Sequence, residues 1–214
     1  MPRRRNTRGD DTGDAILRAA LSAFSEKGFD AASTRSIASQ AGVDHGLIRY
    51  HFGTKQKLWQ AAVEGAFGKL EEATRDHDID EITDERERIR SMVRGYVRFV
   101  ASNPEFVRLM TDEGKRRGPR MRWIIDQHVK PQYAFIEHVV ARSKELRMTP
   151  ADLDPMLFVY TFVGATVMIF HQAQECRRIY GVDPTSPEVV ERHADMIEAL
   201  FLPLTPEPHA TDEA

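Results

Sequence analysis

From about residue 13 the chain is patterned for helices. Ile16, Leu17, Ala20, Leu21 and Phe24 recur at the three- and four-residue intervals that put apolar side chains on one helical face. They predict a first helix over 13–27 that stops at Gly28, a residue free to adopt the left-handed conformation of a helix C-cap. Ser33 or Thr34 can cap a second helix to about Ala41; after "GV", Asp44 can cap a third to about Phe52. Thr54 then caps a longer helix whose stripe is Leu58, Trp59, Ala62, Val63, Ala66, Phe67 and Leu70, ending near Arg75.

The same period continues beyond the charged stretch "RDHDIDEITDERER", Arg75 to Arg88, which reads as a linker. Ile89, Met92, Val93, Tyr96, Val97 and Val100 mark one helix, and Pro104 suits the first turn of the next, from which Phe106, Leu109 and Met110 face inward. A long stripe runs from Pro119 to Arg147. Pro131 lies inside it and should kink or split the helix, because it removes a backbone donor and crowds the preceding turn. Asp154 and Pro155 open a helix that carries no Asp, Glu, Lys or Arg as far as Gln174 and is predicted to run to Gly181, and Ser186 opens the last, ending near Leu202. No run of alternating residues between hairpin turns stands out, so the fold class is all-α: an N-terminal three-helix domain, 13–60, joined by the long helix to a helical C-terminal domain, 61–203. Residues 1–12 read as a basic arm and 204–214 as a disordered tail.

Composition changes this picture in three places. At 214 residues and 41% hydrophobic the chain can build a substantial core, and its single cysteine, Cys176, allows no internal disulfide and suits a reduced, cytoplasmic setting. The apolar part of the helix opened by Pro155, Met156 to Phe170, is shorter than the roughly 20 residues that span a bilayer, so it reads as a helix buried in protein. Charge is divided unevenly: residues 1–60 carry ten Lys/Arg against six Asp/Glu, and residues 61–214 carry twenty against twenty-seven. A basic head on an acidic body suits a polyanion met from one end.

The short second and third helices explain what such a head would do. Ile48 and Phe52 fall on one face and, with Ile37, Ala38, Ala41 and Val43, supply a small core, while Gly42 permits the tight turn. The opposite arc holds His45, Gly46, Leu47, Arg49 and Tyr50, with His51 at its edge. A helix-turn-helix needs this division, one face packed and one face in the major groove. Arg35 and Arg49 offer forked donors for guanine edges or phosphate, Tyr50 and His51 offer single donors, Leu47 can touch a thymine methyl, and Gly46 allows close approach. Lys55, in the first turn of the next helix, suits a phosphate.

The stretch "ILRAALSAFSEKGFDAASTRSIASQAGVDHGLIRYHFGTKQKLWQAAVE", Ile16 to Glu64, resembles the N-terminal DNA-binding domain of the TetR family of bacterial transcriptional regulators. The markers are "AF" and "KGF" in the first helix, "IA..AGV" in the second, and "YHF" followed by "K" after the third. The resemblance implies a homodimer on a palindromic operator, with Thr34, Arg35, His45, Leu47, Tyr50, His51 and Lys55 at positions that contact DNA. Two residues depart from the family pattern: Asp44 stands where Ser or Thr is usual, and Arg49 where tyrosine is common. The resemblance further implies a repressor released by a small lipophilic effector, working in the cytoplasm and on the nucleoid when bound to DNA. Its last two helices, 155–180 and 186–202, would pair with their twofold mates.

For the effector, the middle helices offer Tyr96, Met110, Trp123, His128, Phe135, Phe158, Phe162 and Met168 as pocket walls, although such stripes usually pack a core. His193 is expected at the dimer seam. No cofactor or metal is expected: His45 and His51, six residues apart, fall about 120° apart on a helix, unlike the four-residue spacing of helical zinc ligands. An architectural or adaptor DNA-binding protein without an inducer is the alternative. An enzyme using His128, His171 or His193 is a third reading, but no spacing among them argues for catalysis, so the chain is expected not to be one.

Overall fold

The computed structural model describes residues 7–75 and 81–203, and every described element is helical. Helices α1 to α4 are Thr7–Ala31, Thr34–Ala41, His45–Phe52 and Lys55–Arg75; α5 to α7 are Glu85–Ser102, Pro104–Gly114 and Pro119–Ile124. A π-helical turn, Ile125–Val129, leads into α8, Lys130–Glu145, and the chain continues through α9, Pro155–His171, α10, Ala173–Tyr180, and α11, Pro187–Phe201. The expected tail lies outside the described residues, as do residues 1–6 of the expected arm and 76–80 of the expected linker. The first helix begins at Thr7, inside the segment expected to be an arm, and Glu85–Arg88 of the expected linker already form the first turn of α5.

Packing divides the chain into two compact units, residues 1–70 with 103–128, and residues 71–102 with 129–214. The expected helix-turn-helix segment lies within the first unit, which also takes in α6 and α7.

In the first unit, α1 buries Ile16, Ala19, Ala20, Ala23 and Phe24 and packs on α2 and α6. Leu17 and Leu21 are only half-buried, so the buried stripe is rotated from the one the larger side chains suggest. At Gly28 the backbone leaves the helix with φ 74° and ψ 166°, a region open in practice to glycine alone, and the chain turns before Ala32. That kink lets Phe29 fold back: its ring stacks on Phe24 at 5.8 Å and meets the edge of Trp59 at 6.2 Å. The expected α4 stripe is buried throughout, except that Phe67 is half-exposed.

In the second unit α5 lies along α11, joined by an ion-pair ladder. Arg94 reaches Asp195 at 2.6 Å and Glu198 at 2.8 Å, and Arg98 makes a two-pronged contact with Glu191 at 2.6 and 2.7 Å. Those guanidinium groups hold the Glu191 carboxyl below its ordinary range, Arg98 contributing most. Beneath the ladder, Tyr96, Phe158, Phe162 and Phe201 form a ring cluster with centroids 5.4–6.4 Å apart. A Cβ on Gly95 would collide with the carbonyl oxygen of Ala73, so only glycine lets the α5 backbone come this close to the last turn of α4.

Two long helices are interrupted. The stripe expected from Pro119 to Arg147 is split ahead of Pro131 as the proline requires, but the split takes the form of a π-helical turn, Ile125–Val129. The wider turn accommodates the ring that an α-helix would drive against the carbonyl of residue 127. The helix expected to run unbroken from Pro155 to Gly181 is instead two, α9 and α10, bent by 64° with Gln172 at the break. Among the described residues no single helix is long and apolar enough to cross a membrane, although this bent pair passes by length and composition together.

Candidate nucleic-acid interface

The motif assembles from its caps. Ser33 accepts a hydrogen bond from the Ser36 amide at 3.0 Å and starts α2; Gly42, at φ 69°, ends it with its N–H on the carbonyls of Ala38 and Ser39. Asp44 opens α3 by accepting from the Gly46 amide at 2.7 Å, so its carboxylate is engaged with the helix it caps. Ile48, with Ile37 and Ala38 from α2, is buried, and Phe52, Ala41 and Val43 are half-buried around them.

The opposite arc faces outward as expected. His45, Gly46, Leu47, Arg49, Tyr50 and His51 are all exposed, Leu47 at 37% and Tyr50 at 82%. Tyr50 therefore does not pack against α4; its nearest ring is His51, edge-on at 5.1 Å. Arg35 is exposed, and half-buried Thr34 makes a 2.9 Å hydrogen bond to Nε2 of His45, tying the first residue of α2 to the first residue of α3.

Lys55 differs from the free charge expected at that position. Its ammonium donates to the carbonyl of Asp30 at 3.1 Å and stands 4.7 Å from the centre of the Phe29 ring. It braces α4 against the corner after α1.

The expected pocket residues are divided between the two units. Met110, Trp123 and His128 belong to the first unit; Tyr96, Phe135, Phe158, Phe162 and Met168 belong to the second. Met168 is 57% exposed on the outer side of α9. Phe135 lies under the guanidinium of Arg75, 3.6 Å from its ring centre. Tyr96 sits in the ring cluster with its hydroxyl pushed far above the ordinary range, first by burial, and so kept neutral.

His128 is carried by the π-helical turn, stacked on Phe67 at 4.6 Å and edge-on to Trp123 at 5.2 Å. Among the described residues its buried Nε2 has no hydrogen-bond partner, and neither has Nε1 of Trp59, a ring 5.5 Å from Trp123. Sequence periodicity marked Trp59 as core only. A buried indole N–H left without an acceptor carries a desolvation cost, and nothing in an apolar stripe signals it.

His193, half-buried, donates from Nε2 to the Thr166 carbonyl at 3.1 Å and so locks α11 to α9 within one chain. Burial pushes both His128 and His193 below the ordinary histidine range, opposed by Glu64 in the first case and by the Thr166 carbonyl in the second. Unfolded histidines take up protons near pH 6.5 and these only at lower pH, so the unfolded chain binds more protons as acid is added. Stability should fall as pH drops through about 6.5. Melting followed at pH 7.5 and 5.5 should show this, and His193→Gln, which keeps a donor for Thr166, should shrink the drop. Equal drops in the two proteins would show that His193 is not part of the cause.

Among the described residues no group of three or more His, Cys, Asp or Glu side chains is placed to hold a metal ion.

Comparison with known proteins covers both parts of the chain. The sequence pattern described as bacterial regulatory proteins, tetR family, matches residues 16–62, and that described as the tetracyclin repressor-like C-terminal domain matches residues 86–200. The HTH-type transcriptional repressor NicS of Pseudomonas putida is 29% identical over 118 residues, 55% of either chain, so the chain spans about half the length of that relative. The structure of AibR in complex with isovaleryl coenzyme A and operator DNA superposes with a TM-score of 0.70 at 19% identity, covering 91% of this chain and 100% of that one. The transcriptional regulator FadR from Bacillus subtilis in complex with stearoyl-CoA gives 0.64 at 17% identity, over 87% of this chain and 97% of that one. With its helix-turn-helix and more than half of its length in the later helices both matched, the chain belongs to the TetR family of bacterial regulatory proteins.

Proposed function

We propose that this chain is a ligand-responsive transcriptional repressor that binds a palindromic operator as a homodimer and is released by a small lipophilic effector. The observation that carries the reading is α3: it is anchored through Ile48 while Leu47, Arg49, Tyr50 and His51 stand in solvent. An apolar side chain and a large phenol held out on a capped, rigid helix have no role in the fold. Leu47, Gly46, Arg49 and Tyr50 are assigned to base edges, with Arg35, His51 and Lys55 at their flanks and Thr34 holding His45 in place.

Homodimer formation is supported by a second feature. Leu157, Tyr160 and Met168 on α9 and Met196 and Leu200 on α11 are each 57–63% exposed, a larger apolar surface than scattered residues account for. For the effector, the aromatic walls around Trp123 and His128 in one unit, and around Tyr96, Phe158 and Phe162 in the other, are the candidates, and the unpartnered Nε2 of His128 offers a polar contact. An effector releases the protein only to the extent that it binds the non-operator conformation more tightly. The reading gives the chain a binding role, not a catalytic one, carried out in the cytoplasm and on the nucleoid.

The test is selection from a random-sequence duplex pool. A palindromic sequence with two half-sites about one helical turn or a multiple of it apart should be enriched. Absence of any enriched duplex rejects the reading. Acyl-coenzyme A thioesters, the ligands named for AibR and FadR, are the first compounds to add to the enriched complex.

A further inference from the structure

The first unit carries a second basic surface that charge counting over the whole body conceals. "KRRGPRMR", Lys115 to Arg122, holds five Lys/Arg and no carboxylate in eight residues, inside a segment of net negative charge. Lys115, Arg116, Arg117 and Arg122 are exposed. Lys115 is paired with Asp112 at 3.4 Å, and Arg120 with buried Glu113 at 3.4 Å, but among the described residues Arg116, Arg117 and Arg122 meet no carboxylate.

This segment is fixed against the DNA-reading motif. Arg116 lies against the Gly28 kink, 3.2 Å from where a Cβ would stand. Arg120 places its guanidinium 4.4 Å from the centre of the Phe29 ring and 3.8 Å from the Asp30 carboxylate. Phe29 and Asp30 are also the residues that hold Lys55. The cation at the end of the recognition helix and the cations of the segment therefore meet at one corner, over one ring. Like charges gathered within a screening length of about 8 Å repel each other, and a polyanion relieves that repulsion by replacing several small counterions at once.

We infer that the Lys115–Arg122 segment, the turn before α7 and its first residues, is a second DNA contact, binding backbone phosphates that flank the half-site read by α3, with Arg116 and Arg117 as the free donors and Arg120, on α7, as the residue that positions the segment. The inference rests on the operator-binding reading above. The segment contributes affinity and salt dependence and no base preference, because exposed guanidinium groups outside the groove read charge alone.

The test uses the full-length protein, the duplex enriched by the wild type with natural-length flanks, and the same duplex trimmed to its half-sites. Because each protomer of the dimer loses two contacts, Arg116→Gln with Arg117→Gln should bind the long duplex about a thousandfold less tightly at 0.15 M salt, with a log–log salt slope shallower by about four. The enriched sequence should be unchanged. On the trimmed duplex variant and wild type should bind alike, and Arg116→Lys with Arg117→Lys should restore the slope. Unchanged melting of the glutamine variant separates lost contact from lost folding. Equal binding of wild type and glutamine variant to the long duplex overturns the inference and leaves the operator reading standing; failure of the wild type to bind any duplex overturns that reading itself.

Discussion

Replacing Arg49 and Tyr50 together with alanine should leave thermal melting unchanged and remove sequence-selective DNA binding. Both side chains are exposed on the solvent arc of α3, Tyr50 at 82%, with the His51 ring edge-on to Tyr50. Alanine costs the helix nothing, since it is the best helix former. On DNA, a forked guanidinium contact to a base is worth about 1–3 kcal/mol, and loss of a second donor adds to it, so selectivity should fall by about a hundredfold or more. Competition between the enriched palindrome and a scrambled duplex measures this directly. A variant that melts normally and still prefers the palindrome would show that α3 is not the reading element. Lys55→Ala gives a less interpretable result, because Lys55 also holds the Asp30 carbonyl and the Phe29 ring.

That contrast shows which parts of the interface can be read from sequence. The caps of α2 and α3, Ser33, Gly42 and Asp44, and the inward Ile37, Ala38 and Ile48 are local features, set by residues within one turn of each other, and periodicity finds them. The family resemblance adds which outward residues are expected to contact DNA. The bracing of Lys55 is different in kind: its partners are 25 and 26 residues away and meet it only after Gly28 has turned the chain back.

The same distinction separates the larger elements. Pro131 announces a break because the missing N–H is written in the residue, but not that the break becomes a π-helical turn presenting His128 to Phe67 and Trp123. The bend at Gln172 has no such marker: "HQAQ" contains neither glycine nor proline, and an apolar stripe running into polar residues reads as one helix changing its surroundings. Nor is the grouping of residues 103–128 with the first unit legible, since it depends on α6 packing along α1 some ninety residues earlier. A charge count divided at residue 60 therefore assigned the basic segment to an acidic body, although it folds with the basic head.

A dimer through α9 and α11 should be abolished by Leu157→Asp with Leu200→Asp. The outer side of α9 carries Leu157, Tyr160, Gly164 and Met168 at helical spacing, and α11 carries Met196 and Leu200 one turn apart. Leu157 is 60% and Leu200 63% exposed, whereas Val159, Phe162, Thr166 and Phe170 on the inner side of α9 already fill the core of their own unit. The substitutions therefore leave that core untouched. A twofold axis brings in each leucine twice, and at about 1.5–3 kcal/mol for full burial of one such side chain, with about 60% of each still to be covered, the four together supply roughly 4–8 kcal/mol. Aspartate forfeits this and adds the desolvation of four carboxylates, so association should weaken by more than a thousandfold. Sedimentation equilibrium at micromolar protein should show the wild type as a dimer and the variant as a monomer. Circular dichroism should show its helices retained at low temperature, and its affinity for the full palindrome should fall to that for a single half-site. A variant that still sediments as a dimer would show that the apolar face of α9 and α11 is not where the chains meet.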